Sequence, residues 1–131
     1  MERGFGLIVL DASALLALLF QEPGHEVVAE HLGKSCISTV NLAEVLARYQ
    51  REGRDSQTLY SRLCETGLEL VPFDADTAAL SASLSSRVQP WGLSLGDRVC
   101  IALGIARQLP VLTADRVWTQ IQLDIDVQLI R

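Results

Sequence analysis

The stretch 93–116, L-S-L-G-D-R-V-C-I-A-L-G-I-A-R-Q-L-P-V-L-T-A-D-R, constrains the fold of this chain more than any other. It reads as a helix over 94–108, a turn at Pro110 and a short buried strand at Val111-Leu112. On that helix Asp97, Cys100, Ile101, Gly104 and Ile105 follow one another at three- and four-residue steps and share a face. The other members of that stripe are apolar or small, so Asp97 points toward packed protein, where an unpaired charge is expensive. The strand stops at Thr113-Ala114-Asp115, which puts a second carboxylate where a strand leaves the sheet.

The start of the chain repeats this pattern. Residues 6–10 (G-L-I-V-L) read as a strand too short and too apolar for an exposed position, and it ends on Asp11-Ala12-Ser13. V-L-D-A-S at its end echoes V-L-T-A-D at 111–115: two strand ends, each with an acid and a hydroxyl. Between them, helical segments are expected at 14–20, 25–32, 42–51, 56–65 and 74–87, and strands at 36–38 and 68–73. A short helix at 117–121 and a half-exposed edge strand at 126–130 follow. Strands alternate with helices throughout, which predicts a three-layer α/β/α sandwich around a parallel sheet of about five strands. With 131 residues and no linker or repeat, the whole chain 1–131 is expected to be one domain.

Composition narrows the class. Hydrophobic residues make up 49% and aromatic ones only 5%, so the core must be mostly Leu, Val, Ile and Ala, as suits helices on a parallel sheet. Cys36, Cys64 and Cys100 form no C-x-x-C pair and read as buried free thiols of a reducing compartment. The longest apolar run, 7–20, is interrupted by Asp11 and Ser13 and is shorter than the roughly 17–25 residues a membrane span needs. No basic start or cleavage signal is recognised, so no membrane association and a cytoplasmic location are expected. The net charge of −5 argues against holding nucleic acid by bulk positive field alone, although ten Arg against one Lys leave room for forked phosphate contacts.

In an open parallel sheet, ligands bind beyond the carboxyl ends of the strands. Asp11 and Asp115 lie at two such ends, and Glu44 and Asp97 lie in first turns of helices that begin near the same edge. Each has an innocent reading. Asp11 and Asp115 suit helix N-caps, and Asn41-x-x-Glu44 and Ser94-x-x-Asp97 resemble capping boxes. Together, four converging carboxylates would repel one another unless a cation shared them. An all-oxygen set selects a hard ion, Mg²⁺ or Mn²⁺, which acidifies water and stabilises charge on a phosphate, the chemistry of phosphodiester hydrolysis. Ser13 and Thr113 would orient an acid or a water. Arg48, Arg51 and Arg54 recur at three-residue steps on the helix of Glu44, giving Arg48 and Arg51 as candidate RNA contacts against a solvated face. His25 and His31 read as surface residues, Asp74 and Asp76 as helix-start charges, and Trp91 and Trp118 as packing residues.

These residues carry a family resemblance. V-L-D-A-S-A-L-L-A at the start, N-L-A-E-V at 41–45, L-S-L-G-D-R at 93–98 and L-P-V-L-T-A-D-R at 109–116 resemble a PIN-domain ribonuclease, specifically the VapC-type toxin of a toxin–antitoxin pair. The resemblance implies a PIN-like fold and matches Asp11, Glu44, Asp97 and Asp115 to the family's acidic metal-binding quartet, with Thr113 as the hydroxyl before the last acid. It further implies RNA cleavage leaving 5′-phosphate and 3′-hydroxyl ends, a homodimer, and silencing by a cognate antitoxin that occupies the active-site groove. Gly96 stands where the family often has Ala. Alternatives are a housekeeping PIN nuclease and, from another class, a non-catalytic metal-dependent binding module, whose Asp-x-Ser motif wants a further Ser where this chain has Leu15. A receiver domain wants a Lys after its last strand, and the only Lys here is Lys34.

Overall fold

Every residue of the first strand is buried because the sheet it belongs to is covered on both faces. The computed structural model describes residues 6–131; residues 1–5, which enter the reading of the chain's start, lie outside it. The elements are β1 (Ile8–Leu10), α1 (Ala12–Leu19), α2 (His25–His31), β2 (Ser35–Ser38), α3 (Thr39–Arg51), α4 (Ser56–Leu63), β3 (Glu69–Val71), α5 (Ala75–Ser83), α6 (Ser85–Val88), α7 (Leu95–Arg107), β4 (Val111–Thr113) and β5 (Val127–Leu129). Single 3₁₀ turns occupy Leu32–Lys34, Gln89–Trp91 and Arg116–Gln120. The five strands pair in parallel in the order β3-β2-β1-β4-β5, with Val9 opposite both Cys36 and Val111.

Side chains alternate across the strands, and the two faces build two cores. Ile8, Leu10, Ile37 and Leu112 pack with α1 to α4 around Leu15, Val28, Val45 and Leu59. Val9, Cys36 and Val111 pack on the other side with Val88, Ile101 and Leu103 of the later helices and with Trp118. The apolar runs of the sequence are thus short because each strand is only three or four residues long, and continuous because neither face meets water.

Three expectations need correction in detail. The helix expected over 74–87 breaks at Leu84, where the hydroxyls of Ser81 and Ser83 bond back to the carbonyls of Ala78 and Leu80 and compete with the helix ladder. The helix expected from Leu42 starts at Thr39, capped by Ser38, whose Oγ accepts from Val40 N–H at 3.2 Å. Cys64 is exposed, not buried, because α4 turns only Leu59 and Leu63 inward and Cys64 follows at its solvent-facing end. Cys36 and Cys100 are buried free thiols.

The central helix α7 carries the tightest packing. A β-carbon on Gly104 would stand 2.8 Å from Val111 Cγ1 and 3.2 Å from the Leu109 carbonyl, so the helix lies closer to β4 than any side chain permits. At its last turn Arg107 makes a two-pronged ion pair with Glu69 at the start of β3, 2.7 and 2.9 Å. Gly104→Ala is expected to destabilise the fold by about 1–3 kcal/mol through overpacking, although Ala is the better helix former. Denaturant unfolding checks this, and an unchanged or raised midpoint would show that the contact relaxes freely.

Candidate active site

The chain order across the sheet reverses between β1 and β4: from β1 it moves outward to β2 and β3, then crosses to β4 and β5. Such a switch point opens the crevice in which parallel sheets bind ligands. Asp11 leaves β1 there, 3% exposed. Its Oδ2 accepts a 2.6 Å hydrogen bond from Thr113 Oγ1 at the end of β4. Ser13 Oγ lies 2.7 and 2.9 Å from the two carboxylate oxygens, and Ala14 N–H donates to Oδ1 at 2.8 Å, which caps α1. Ser13 Oγ also accepts from Ala114 N–H at 2.9 Å, so one hydroxyl joins the ends of both strands.

Burial drives the Asp11 carboxyl up from 3.8 to about 6, against the pull of its Thr113, Ala14 and Ser13 donors, and the nearby charge of Asp97 adds to the rise. Asp97 stands in the first turn of α7 in a true capping box with Ser94: its Oδ2 accepts from Ser94 N–H at 2.9 Å and its own N–H donates to Ser94 Oγ at 3.2 Å. Glu44, on α3, accepts from Asn41 Nδ2 at 3.0 Å and lies against Gly96 of α7. The fully buried Cys100 thiol is raised well above its usual value, first by burial and then by charge from Asp11, Asp97, Cys36 and Glu44. Three of the four acids therefore lie near enough to Cys100 of α7 for their charge to reach it.

Asp115 stands at the exposed rim of the same edge. Its N–H donates to Thr113 Oγ1 at 3.0 Å, and its Oδ1 accepts from Val117 N–H at 3.0 Å, capping the following turn. The cap readings of Asp11, Asp97 and Asp115 are thus all realised in the structure. Asn41-x-x-Glu44 is not a capping box: α3 begins earlier, which leaves Asn41 inside the helix, 1% exposed, with its amide on Glu44 and on the Gly96 carbonyl. Reading Asn41 as a cap misses this role, and its place four residues before the core residue Val45 is the available signal.

The peripheral candidates fall outside this cluster. Arg48, one turn beyond Glu44, donates to Glu52 at 3.0 Å and lies over the Phe20 ring, while Arg51 is exposed at the end of α3. Of the two arginines that directly follow site acids in sequence, Arg116 donates to the Arg131 carbonyl, and Arg98 Nε is buried without a hydrogen-bond partner among the described residues. Asp74 caps α5 through Thr77 N–H, His25 and His31 are half-buried, Trp118 is fully buried and Trp91 is exposed.

The donor set suits a hard divalent cation. It is all oxygen, and among the described residues none of the four acids has an ion pair with a basic side chain. No three His, Cys, Asp or Glu side chains among the described residues close on one point as metal ligands do. Asp97 and Asp115 are instead turned back to the starts of their own helical segments.

A model of the PIN domain family matches residues 8–123. A comparison with curated proteins by sequence finds no match. Among solved structures, DNA-bound VapBC from Salmonella typhimurium is similar with a TM-score of 0.74 at 16% identity, over 97% of this chain and 100% of that one. FitAcB from Neisseria gonorrhoeae is similar with 0.68 at 24%, over 92% and 96%. VapC20 from Mycobacterium tuberculosis, a sarcin-ricin loop cleaving toxin, is similar with 0.74 at 15%, over 86% and 93%. At these identities the likeness is one of fold.

Asp11 gives the site a pH signature. Between about 4 and 6 the folded chain holds a proton that the unfolded chain has released, so this group's contribution falls as pH rises and stands as a full penalty of about 3 kcal/mol above 6. Asp11→Asn removes the charge and keeps an acceptor for Ala14. With chelator present, its unfolding free energy relative to the wild type is expected to rise between pH 4 and 7; parallel curves would show that Asp11 is charged at little cost.

Proposed function

The chain belongs to the PIN domain family, and from that footing we propose that it is a Mg²⁺- or Mn²⁺-dependent endoribonuclease, the toxin of a toxin–antitoxin pair. The observation that carries this reading is the buried Asp11 carboxylate, pressed between two strand ends with the charge of Asp97 acting on it and no basic side chain paired to it among the described residues, while the charges of Asp11, Asp97 and Glu44 all reach Cys100. A protein interior accepts clustered negative charge when a cation shares it.

In this reading Asp11, Asp97 and Asp115 hold metal, and Glu44 holds metal or orients the attacking water. The bound ion would supply positive charge to the phosphodiester and make water more acidic. Thr113 and Ser13 fix the orientation of the Asp11 carboxylate by two donated hydrogen bonds. Arg51, exposed and on the helix of Glu44, is the better candidate of the basic strip for an RNA phosphate, since Arg48 is engaged by Glu52 and Phe20.

The partner side of the proposal has its own support. Trp91 and Leu95, six and two residues before Asp97 in sequence, are 43% and 53% exposed, large apolar side chains that suit coverage by a protein such as an antitoxin. The solved neighbours include a toxin–antitoxin complex from Klebsiella pneumoniae and a member of the VapBC family of toxin–antitoxin systems from Mycobacterium tuberculosis, which favours a toxin over a housekeeping nuclease. A homodimer belongs to the same proposal. No helix among the described residues is long and apolar enough to cross a membrane.

Incubation of purified protein with a mixed RNA pool and Mg²⁺ or Mn²⁺, beside an Asp97→Asn control, tests the reaction. Metal-dependent cutting lost in the variant, with an unchanged circular dichroism spectrum, is expected. No cutting by either protein, with calorimetric metal binding intact, would replace the enzyme by a metal-dependent binding module. Millimolar Mg²⁺ is also expected to raise the melting temperature of the wild type by preferential binding to the folded state, and an unchanged melting curve would count against a cation site.

A further inference from the structure

Glu44 is held in a seat built by two residues that carry no charge. Asn41 Nδ2 donates to Glu44 Oε1 at 3.0 Å and to the Gly96 carbonyl at 3.0 Å, which joins α3 to the first turn of α7. A β-carbon on Gly96 would stand 2.6 Å from Glu44 Oε1 and 2.7 Å from its Cδ, and nearer still to Oε2. The carboxylate therefore fills the space that any other residue at position 96 would occupy. The amide of Asn41 has only one tolerable orientation, since turning it would set its oxygen against a carboxylate and a carbonyl. Its Oδ1 is left buried without a partner among the described residues, a local cost accepted where the amide grips Glu44.

Among the described residues no other hydrogen bond or ion pair restrains the Glu44 carboxylate. Its helix exposes it to water, and a glutamate with an open route to solvent samples many rotamers unless something fixes one. The geometry points to Asn41 and Gly96 as positioning residues that lock the Glu44 carboxylate against α7, on the same side as Asp97. This inference rests on the nuclease reading, in which Glu44 serves metal or water. In this chain the space beside position 96 is taken by the acid rather than by a methyl group.

Four proteins decide the matter: wild type, Gly96→Ala, Glu44→Ala and the double variant, each measured for Mn²⁺ affinity by calorimetry and for kcat and KM on RNA. Gly96→Ala is expected to weaken Mn²⁺ binding by about 10- to 100-fold, the usual effect of disturbing a ligand's support. It is expected to lower kcat with KM for RNA little changed. In the Glu44→Ala background the same substitution is expected to do nothing further, since the space is already empty. Asn41→Ala should match Gly96→Ala, and should it fail to fold, Gly96→Ala still decides, because it places a better helix former on a surface that Glu44 can leave by swinging out.

Full additivity of the two substitutions, or unchanged Mn²⁺ affinity in Gly96→Ala, would overturn the seat. The ¹³C carboxyl resonance of Glu44 reads the seat without reference to activity: it should move to the position of a freely solvated glutamate in Gly96→Ala, and an unmoved resonance overturns the proposal. A Glu44→Ala protein that binds Mn²⁺ and cleaves RNA as the wild type does would instead sink the functional reading of Glu44, whatever the resonance shows.

Discussion

The hydrogen bond from Thr113 to Asp11 spans the one place where the chain's path across the sheet reverses, and the rest of the architecture answers to it. A carboxylate at 3% exposure needs donors: Ser13 and Ala14 supply local ones, and it reaches Thr113 because β1 and β4 are adjacent although about a hundred residues separate them. That adjacency requires the long crossover through β2, β3 and the later helices, and the crossover in turn delivers α3 and α7 with their first turns at the same edge. Topology and site are therefore one problem: the acid is tolerable only where the fold closes, and the fold closes over an acid.

Helix caps and site acids are the same side chains in three of four cases. A cap satisfies backbone N–H groups that a helix start leaves bare, and a carboxylate suits the positive end of the helix dipole. Both requirements are met at the carboxyl edge of a parallel sheet, where helices begin. Glu44 is the exception. It caps nothing and depends on Asn41 and Gly96, which makes it the member of the quartet whose orientation is set by packing rather than by secondary structure.

Much of this is legible in the amino-acid order alone. The alternation of short apolar runs with helical stretches is enough for a five-stranded parallel sheet, because strands covered on both faces have no polar positions to disguise them. Asp11, Asp97 and Asp115 can be placed because each ends or begins an element, and such punctuation is local. The spacing of Asn41 from Val45 signals that it turns inward, but what it grips is not legible, since its contact with Gly96 joins residues 55 apart in sequence. The break at Leu84 is also hidden, because serine hydroxyls bend a helix only when they choose its own carbonyls. Cys64 is misplaced because a small apolar residue at a helix end carries no directional signal.

Arg107 and Gly104 give α7 a mechanical character. Its foot is tied to the edge strand by a two-pronged ion pair, and its middle lies against β4 with no room for a methyl group. A helix of 13 residues, about 20 Å long, is thereby fixed at two points on the sheet. It can neither slide nor roll without opening one of them. Crowding at its first turn must be absorbed by side chains alone, so α7 acts as a strut: a fixed reference against which the acids of the neighbouring elements are measured.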